Sequence, residues 1–120
     1  MVDWIKDNGG WQTPQIVPYG PFQIDTSATC LHYGISAYEG FSVFQNAETG
    51  APLAFRARDN LKSFLLASDH LDLPQFDIDE LLACLKKLIL QDKAWFPEAP
   101  YFSKLVSQLY LRLAHISIDA

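Results

Sequence analysis

The amino-acid sequence predicts an α+β domain, a mostly antiparallel sheet covered by two helices. Three observations carry that reading. The N-terminal stretch is rich in proline, glycine and aromatics, a short hairpin pattern follows, and two helical stripes then give way to an alternating strand. In that stretch, "NGGWQTPQIVPYGPFQI", the prolines exclude a helix and favour extended segments joined by turns. At Phe41 the pattern becomes a strand, "FSVFQ", with Phe41 and Val43 on one face and Ser42 and Phe44 on the other. The polar "NAETGA" is a turn, and "PLAFR" runs back as the second strand of a hairpin.

The two helices come next. In "DNLKSFLLASDHLDLP", Leu61, Phe64, Leu65, Ser68 and Leu71 recur at helical spacing, and Pro74 limits the C-terminal end. In "DIDELLACLKKLILQDK", Asp77 and Glu80 stand at capping-box spacing. Ile78, Leu81, Leu82, Leu85, Leu88 and Ile89 form the buried stripe, with Lys86 and Lys87 on the wet side. "WFPEAPY" reads as a loop. "KLVSQLYLRLAHI" then alternates as a strand, with Leu105, Leu109, Leu111 and Leu113 sharing a face with Ser107.

At 120 residues the chain fits one domain with one hydrophobic core, and no internal repeat divides it. Its net charge of −5 argues against a nucleic-acid partner, because phosphate-binding surfaces carry a basic excess. "LLACLKKLIL" is broken by two lysines and is far shorter than the ~20 apolar residues a membrane span needs. "MVDWIKDNGG" lacks a signal-peptide pattern, and two cysteines, Cys30 and Cys84, make no disulfide framework or zinc set. The composition therefore reads as an intracellular protein, cytoplasmic in preference to mitochondrial.

Candidate chemistry is thinly spread. "LHYGISAYEGF" concentrates Tyr33, Tyr38, His32 and Glu39, and by pattern alone is a turn-flanked strand entrance. Tyr110 and Arg112 share a strand face, where a phenol and a guanidinium can recognise a carboxylate. Exposed arginines on strands are commonplace, so pattern favours a solvent-facing pair. Arg56 ends a strand before a helix, a junction suited to phosphate, yet a surface pair with Asp59 fits equally. Arg58 is close enough that spacing does not choose between them. Asp69, His70 and Asp72 are spaced wrongly for converging on one metal ion, and no other metal set is visible. His115 has no identifiable partner, and His32 has the backbone within reach. Each of the six lysines (Lys6, Lys62, Lys86, Lys87, Lys93 and Lys104) lies in a polar context or on a wet helix face. None has the desolvated setting a nucleophilic amine needs, so no catalytic residue is assigned to this chain.

Taken in order, "MVDW", "GGWQTPQIVPY", "LHYGISAYEG", "AFRARDNL", "LDLP", "LLACLKKLILQDKAWFP" and "LYLR" resemble the small N-terminal domain of branched-chain amino acid aminotransferases. These are pyridoxal-phosphate enzymes of fold type IV, and the resemblance covers almost the whole chain, residues 1–120. It implies amino transfer between leucine, isoleucine or valine and 2-oxoglutarate, in a homodimer with no nucleic-acid or membrane partner. It implies that Arg56 contacts the cofactor phosphate and that Tyr110 and Arg112 recognise the substrate carboxylate. By the same resemblance, Tyr33 approaches the neighbouring subunit's pocket and Tyr38 lines the pocket for the substrate side chain.

Several positions depart from the family pattern. Ala57 and Leu113 replace prolines, "LKSFLLAS" lacks the usual arginines, and Tyr38 stands where phenylalanine is usual. A hydroxyl buried there without a partner would cost free energy and alter substrate preference. The family's Schiff-base lysine and most of its cofactor cradle belong to a following domain, and this chain ends before them. The 120-residue chain alone is therefore expected to be inactive and to hold the cofactor only loosely. Alternatives within the fold are a D-amino acid aminotransferase or an aminodeoxychorismate lyase. From another functional class comes a non-catalytic module that retains the fold for dimerisation or ligand binding.

Overall fold

The computed structural model describes residues 1–21, 23–46, 48–96 and 108–116, the last of these as backbone. The architecture is α+β. A three-stranded antiparallel sheet runs in the order β4-β3-β5, where β3 is Ser36–Gln45, β4 is Pro52–Ala54 and β5 is Gln108–Ile116. The helices α2 (Ala57–His70) and α3 (Ile78–Gln91) pack to one side of it. At the N-terminus, β1 (Trp4–Ile5) and β2 (Gly10–Trp11) form a separate two-stranded hairpin around a 3-10 turn, Lys6–Asn8. A short helix α1, Thr29–His32, leads into β3.

Alternation along β3 decides which face is core. Ala37, Phe41 and Val43 are buried, whereas Tyr38 is exposed and Gly40, Ser42 and Phe44 are only partly covered. Phe41 and Val43 meet Ala57 and Leu61 of α2 and Leu85 and Ile89 of α3 in the main core. Ala37, Phe64 and Leu73 form a second cluster, closed by Ile35, Phe76 and Leu81. Leu61 and Val43 lose all solvent contact, each burial stabilising by about 1.5–3 kcal/mol. Ser68, also fully buried, donates its hydroxyl to the Phe64 carbonyl one turn back at 2.9 Å, so its polar atom is satisfied.

Helix ends follow local chemistry. Asp77 Oδ1 accepts the Glu80 amide at 2.9 Å and starts α3 as its spacing suggested. The stop of α2 comes before Pro74. Asp72 adopts φ 52°, Leu73 N–H reaches back to the Ser68 carbonyl and Asp72 N–H to that of Asp69, a Schellman closure with aspartate in the left-handed position. Leu71 therefore caps the helix rather than extending its stripe.

Other differences from the sequence expectation have physical causes. The first hairpin strand begins at Ser36 rather than Phe41, because Tyr38-Glu39-Gly40 carries no apolar alternation yet pairs with β5 throughout. The return strand stops at Ala54, since Arg56 turns into the left-handed region at φ 51° and ends the extended run. The helix α1 was not anticipated, being too short to show a stripe. The strand reading of 104–116 is met over Gln108–Ile116. The assignments of Leu105 and Ser107, and most of "WFPEAPY", lie outside the described residues.

Candidate functional site

The edge of β3 nearest α2 opens into a depression of about 450 Å³. Its lining combines Gly40, Phe41 and Ser42 of β3 with Phe55 and Arg56 of the connection and Asp59 and Asn60 of α2. The opening is a consequence of register. Pairing of Val43 with Ala54 continues one step further, where Phe55 N–H donates to the Ser42 carbonyl at 2.9 Å. The next such position would set Gly40 against Ala57. Ala57 instead opens α2, and at Gly40 the edge of β3 away from β5 has no strand partner.

Arg56 sits at that departure. It is the N-cap of α2, and its carbonyl accepts the amides of Asp59 and Asn60 at 3.0 and 3.2 Å. Its side chain is 67 % exposed, with Nε donating to Asp59 Oδ2 at 2.9 Å. A planar guanidinium beside the positive end of a helix suits a phosphate or carboxylate, and the arrangement fits the phosphate of a cofactor in its donor chemistry. Arg58, which spacing could not separate from Arg56, goes elsewhere. It pairs with Asp79 at the start of α3, tying the two helices together. The Arg58 hydrogen bond, then its charge, hold the Asp79 carboxyl below the usual carboxylate range, and Asp79 in turn raises the guanidinium.

The register of β5 adds two positions. Arg112 pairs with Gly40 and Tyr110 with Ser42, both strand residues of the depression wall. Register partners fall on one side of an antiparallel sheet, so Tyr110 and Arg112 belong to the face of Tyr38, Gly40 and Ser42, away from the helices. Gly40 presents no side chain opposite Arg112. Tyr38, two residues before Gly40, is 84 % exposed. Tyr33 is 79 % exposed as the C-cap of α1 and does not line the depression. Arg56 thus comes together with the positions opposite Tyr110 and Arg112, while Tyr33 stands apart.

Two lining residues, Asn60 and Glu39, received no role from the sequence, although Glu39 stands in the stretch singled out there. Asn60 Nδ2 donates to the Gly40 carbonyl at 3.2 Å and to Glu39 Oε1 at 3.3 Å. Glu39 Oε1 also accepts the Gly40 amide at 2.8 Å. The detectable signal was parity: Glu39 alternates with Ala37, Phe41 and Val43, so a carboxylate on the core side needs a partner.

The remaining candidates are accounted for locally. His32 Nε2 donates to the Thr26 carbonyl and His70 Nδ1 to the Leu66 carbonyl. Lys6, Lys62, Lys86, Lys87 and Lys93 are all exposed, and Lys104 lies outside the described residues. Among the described residues no group of acidic, histidine and cysteine side chains converges as a metal site, and no helix is long and apolar enough to cross a membrane. Ala57 occupies the first position of α2, where proline is well tolerated, so its departure from the family leaves the helix start intact.

The fold and the depression define a small α+β domain that sets one arginine, paired with Asp59, beside an open strand edge. Comparison with known proteins gives the family. The chain is 38 % identical over 109 residues to a branched-chain-amino-acid aminotransferase of Monosiga brevicollis, covering 91 % of this chain and 26 % of that protein. It is 31 % identical over 119 residues to the mitochondrial branched-chain-amino-acid aminotransferase of Schizosaccharomyces pombe, covering 99 % of the chain and 26 % of the relative. With the cytosolic enzyme of Rattus norvegicus it shares 34 % over 119 residues, 99 % of the chain and 27 % of the relative. No family model matches the chain. The chain belongs with the branched-chain-amino-acid aminotransferases, and it spans about a quarter of the length of the curated relatives it matches.

Proposed function

We propose that this chain is the small N-terminal domain of a pyridoxal-phosphate-dependent branched-chain amino acid aminotransferase, and forms the wall that orients cofactor phosphate and substrate carboxylate. The observation that supports this most is the single depression shared by Arg56, Gly40 and Ser42, with Arg112 and Tyr110 in register opposite the last two. Arg56 takes the phosphate, its fork of donors matching the phosphate oxygens while the start of α2 adds partial positive charge. Asp59 holds the Nε edge and so aims the guanidinium. Arg112 and Tyr110 take the substrate carboxylate, Arg as a bidentate donor and Tyr through its hydroxyl. Tyr38 faces the substrate side chain, and Tyr33 reaches the pocket of a second subunit in a homodimer.

Bound pyridoxal phosphate supplies the electron sink for moving an amino group between leucine, isoleucine or valine and 2-oxoglutarate, with glutamate as the other amino acid. The lysine that the chemistry needs comes from outside this chain, the lysines described here being exposed on the surface and apart from the depression. The protein works inside the cell, in the cytoplasm. Assay of the full-length gene product with L-leucine, L-isoleucine, L-valine and D-alanine against 2-oxoglutarate tests the reading. Turnover of the branched-chain L-substrates is expected, and preference for the D-amino acid overturns it. The 120-residue chain alone should neither transaminate nor form a dilution-resistant complex with pyridoxal phosphate.

A further inference from the structure

Arg56 holds a left-handed backbone, φ 51° and ψ 30°, that an L-residue with a Cβ adopts only under constraint. The constraint is visible on both sides of it. Upstream, Phe55 N–H is bonded to the Ser42 carbonyl of β3 at 2.9 Å. Downstream, the Asn60 side chain is bonded to the Gly40 carbonyl of the same strand at 3.2 Å, while the Asn60 amide closes onto the Arg56 carbonyl. Ser42 and Gly40 are alternate residues, so their carbonyls point to the same edge of β3. Arg56 is therefore slung between two attachments to one strand edge.

The second attachment replaces a missing strand. At Gly40 the edge of β3 has lost β4, and its amide and carbonyl need partners. Glu39 Oε1 takes the amide at 2.8 Å and Asn60 Nδ2 the carbonyl, and the two side chains are joined to each other at 3.3 Å. Asparagine is a poor residue for the interior of a helix, and its side chain here reaches across to the sheet rather than to its own helix.

We infer that Asn60 is a positioning residue for anion recognition: by bridging Gly40 and Glu39 it fixes the first turn of α2 on β3 and sets where Arg56 presents its guanidinium. The inference rests on the reading that Arg56 receives an anion. It assigns Asn60 no contact with that anion, and predicts that anion affinity falls when the bridge is cut even in folded protein.

The test is a sulfate titration of the 120-residue chain followed by 15N NMR at the Arg56 Nε–H and the Arg56 and Ala57 amides. Sulfate mimics phosphate in shape and keeps its charge from mildly acidic to neutral pH. Arg56→Ala should abolish the response, and Asn60→Ala should weaken the apparent affinity roughly fivefold, the equivalent of one modest hydrogen bond. Shifts of α3 amides show that the population read is folded. Asn60→Asp keeps the shape but turns the donor into an acceptor facing the Glu39 carboxylate. It should lose affinity at neutral pH and recover as the introduced carboxyl is protonated, which serves where the alanine variant fails to fold. Unchanged sulfate affinity in both Asn60 variants, with the response lost in Arg56→Ala, overturns the positioning role and leaves the Arg56 reading standing. No response in the unsubstituted chain removes the reading and the inference with it.

Discussion

Trp11 Nε1–H donates to the Gln75 carbonyl oxygen at 2.7 Å, joining residues 64 positions apart. Gln75 lies in the connection between α2 and α3, so the bond fastens the N-terminal hairpin to the helical layer. The hairpin has little else of its own, since β1 and β2 are two residues each and neither strand is buried beyond a partly covered Gly10. A two-stranded ribbon of that size is not stable alone.

Trp11→Phe keeps an aromatic ring and removes the donor. The expected loss is about 0.5–1.5 kcal/mol, concentrated in the hairpin. Hydrogen exchange resolved by residue should show faster exchange at Gln12 and Gln15, whose amides pair with the Asp3 and Met1 carbonyls, with α3 unaffected. Equal protection in both proteins would mean that packing alone holds the hairpin.

Asp72→Gly concerns the closure of α2. Asp72 occupies the left-handed position of a Schellman ending at φ 52°, where glycine meets no Cβ clash. The substitution should stabilise by roughly 0.5–1 kcal/mol, the relief of the left-handed backbone less the added freedom of the unfolded chain. Urea unfolding measures it, through a raised midpoint at constant slope. A lowered midpoint would show that the aspartate side chain contributes more than its backbone costs.

The pair Arg58–Asp79 bears on pH. Its hydrogen bond and charge lower the Asp79 carboxyl, so the stabilisation is present above the ordinary carboxylate range and is lost as pH falls through the depressed value. Both side chains are half exposed or more, so salt should weaken the effect. Carboxyl 13C NMR should find Asp79 titrating below a free aspartate, and Arg58→Gln should return it to the normal range. If Asp79 titrates normally in the unsubstituted chain, the pair does not persist in solution.

How much of this was legible in the sequence differs by element. The two long helices were readable because Leu61, Phe64, Leu85 and Ile89 repeat with the helical period and are the residues found buried. The depression was not readable, because it arises where the register of β3 and β4 would place Gly40 against Ala57 and the chain turns away instead. No local pattern announces that event, and Arg56 carries no glycine to mark its backbone. Asn60 and Glu39 were hidden for a related reason: their partner is a backbone edge of β3 that exists only once β4 has ended. Family resemblance, rather than periodicity, singled out Tyr110 and Arg112. The register then set them opposite Ser42 and Gly40.

Arg56 itself separates stability from recognition. Arg56→Ala and Arg56→Gly both remove the guanidinium and its exposed pairing with Asp59, so any difference between them reports on the backbone at φ 51°. Alanine keeps a Cβ in the left-handed region, a strain of roughly 1–2 kcal/mol, whereas glycine does not. Glycine also adds about 0.5–1 kcal/mol of unfolded-state freedom, which offsets part of that gain. The glycine variant should therefore be the more stable of the two by a few tenths to about 1 kcal/mol, reversing their usual order within ordered structure. Neither should respond to sulfate at the depression. Thermal unfolding of the pair, beside the sulfate titration, checks both halves. An alanine variant at least as stable as the glycine one would show that the loop relaxes once the guanidinium is gone, and that the left-handed turn is set by Arg56 rather than by the attachments at Ser42 and Gly40.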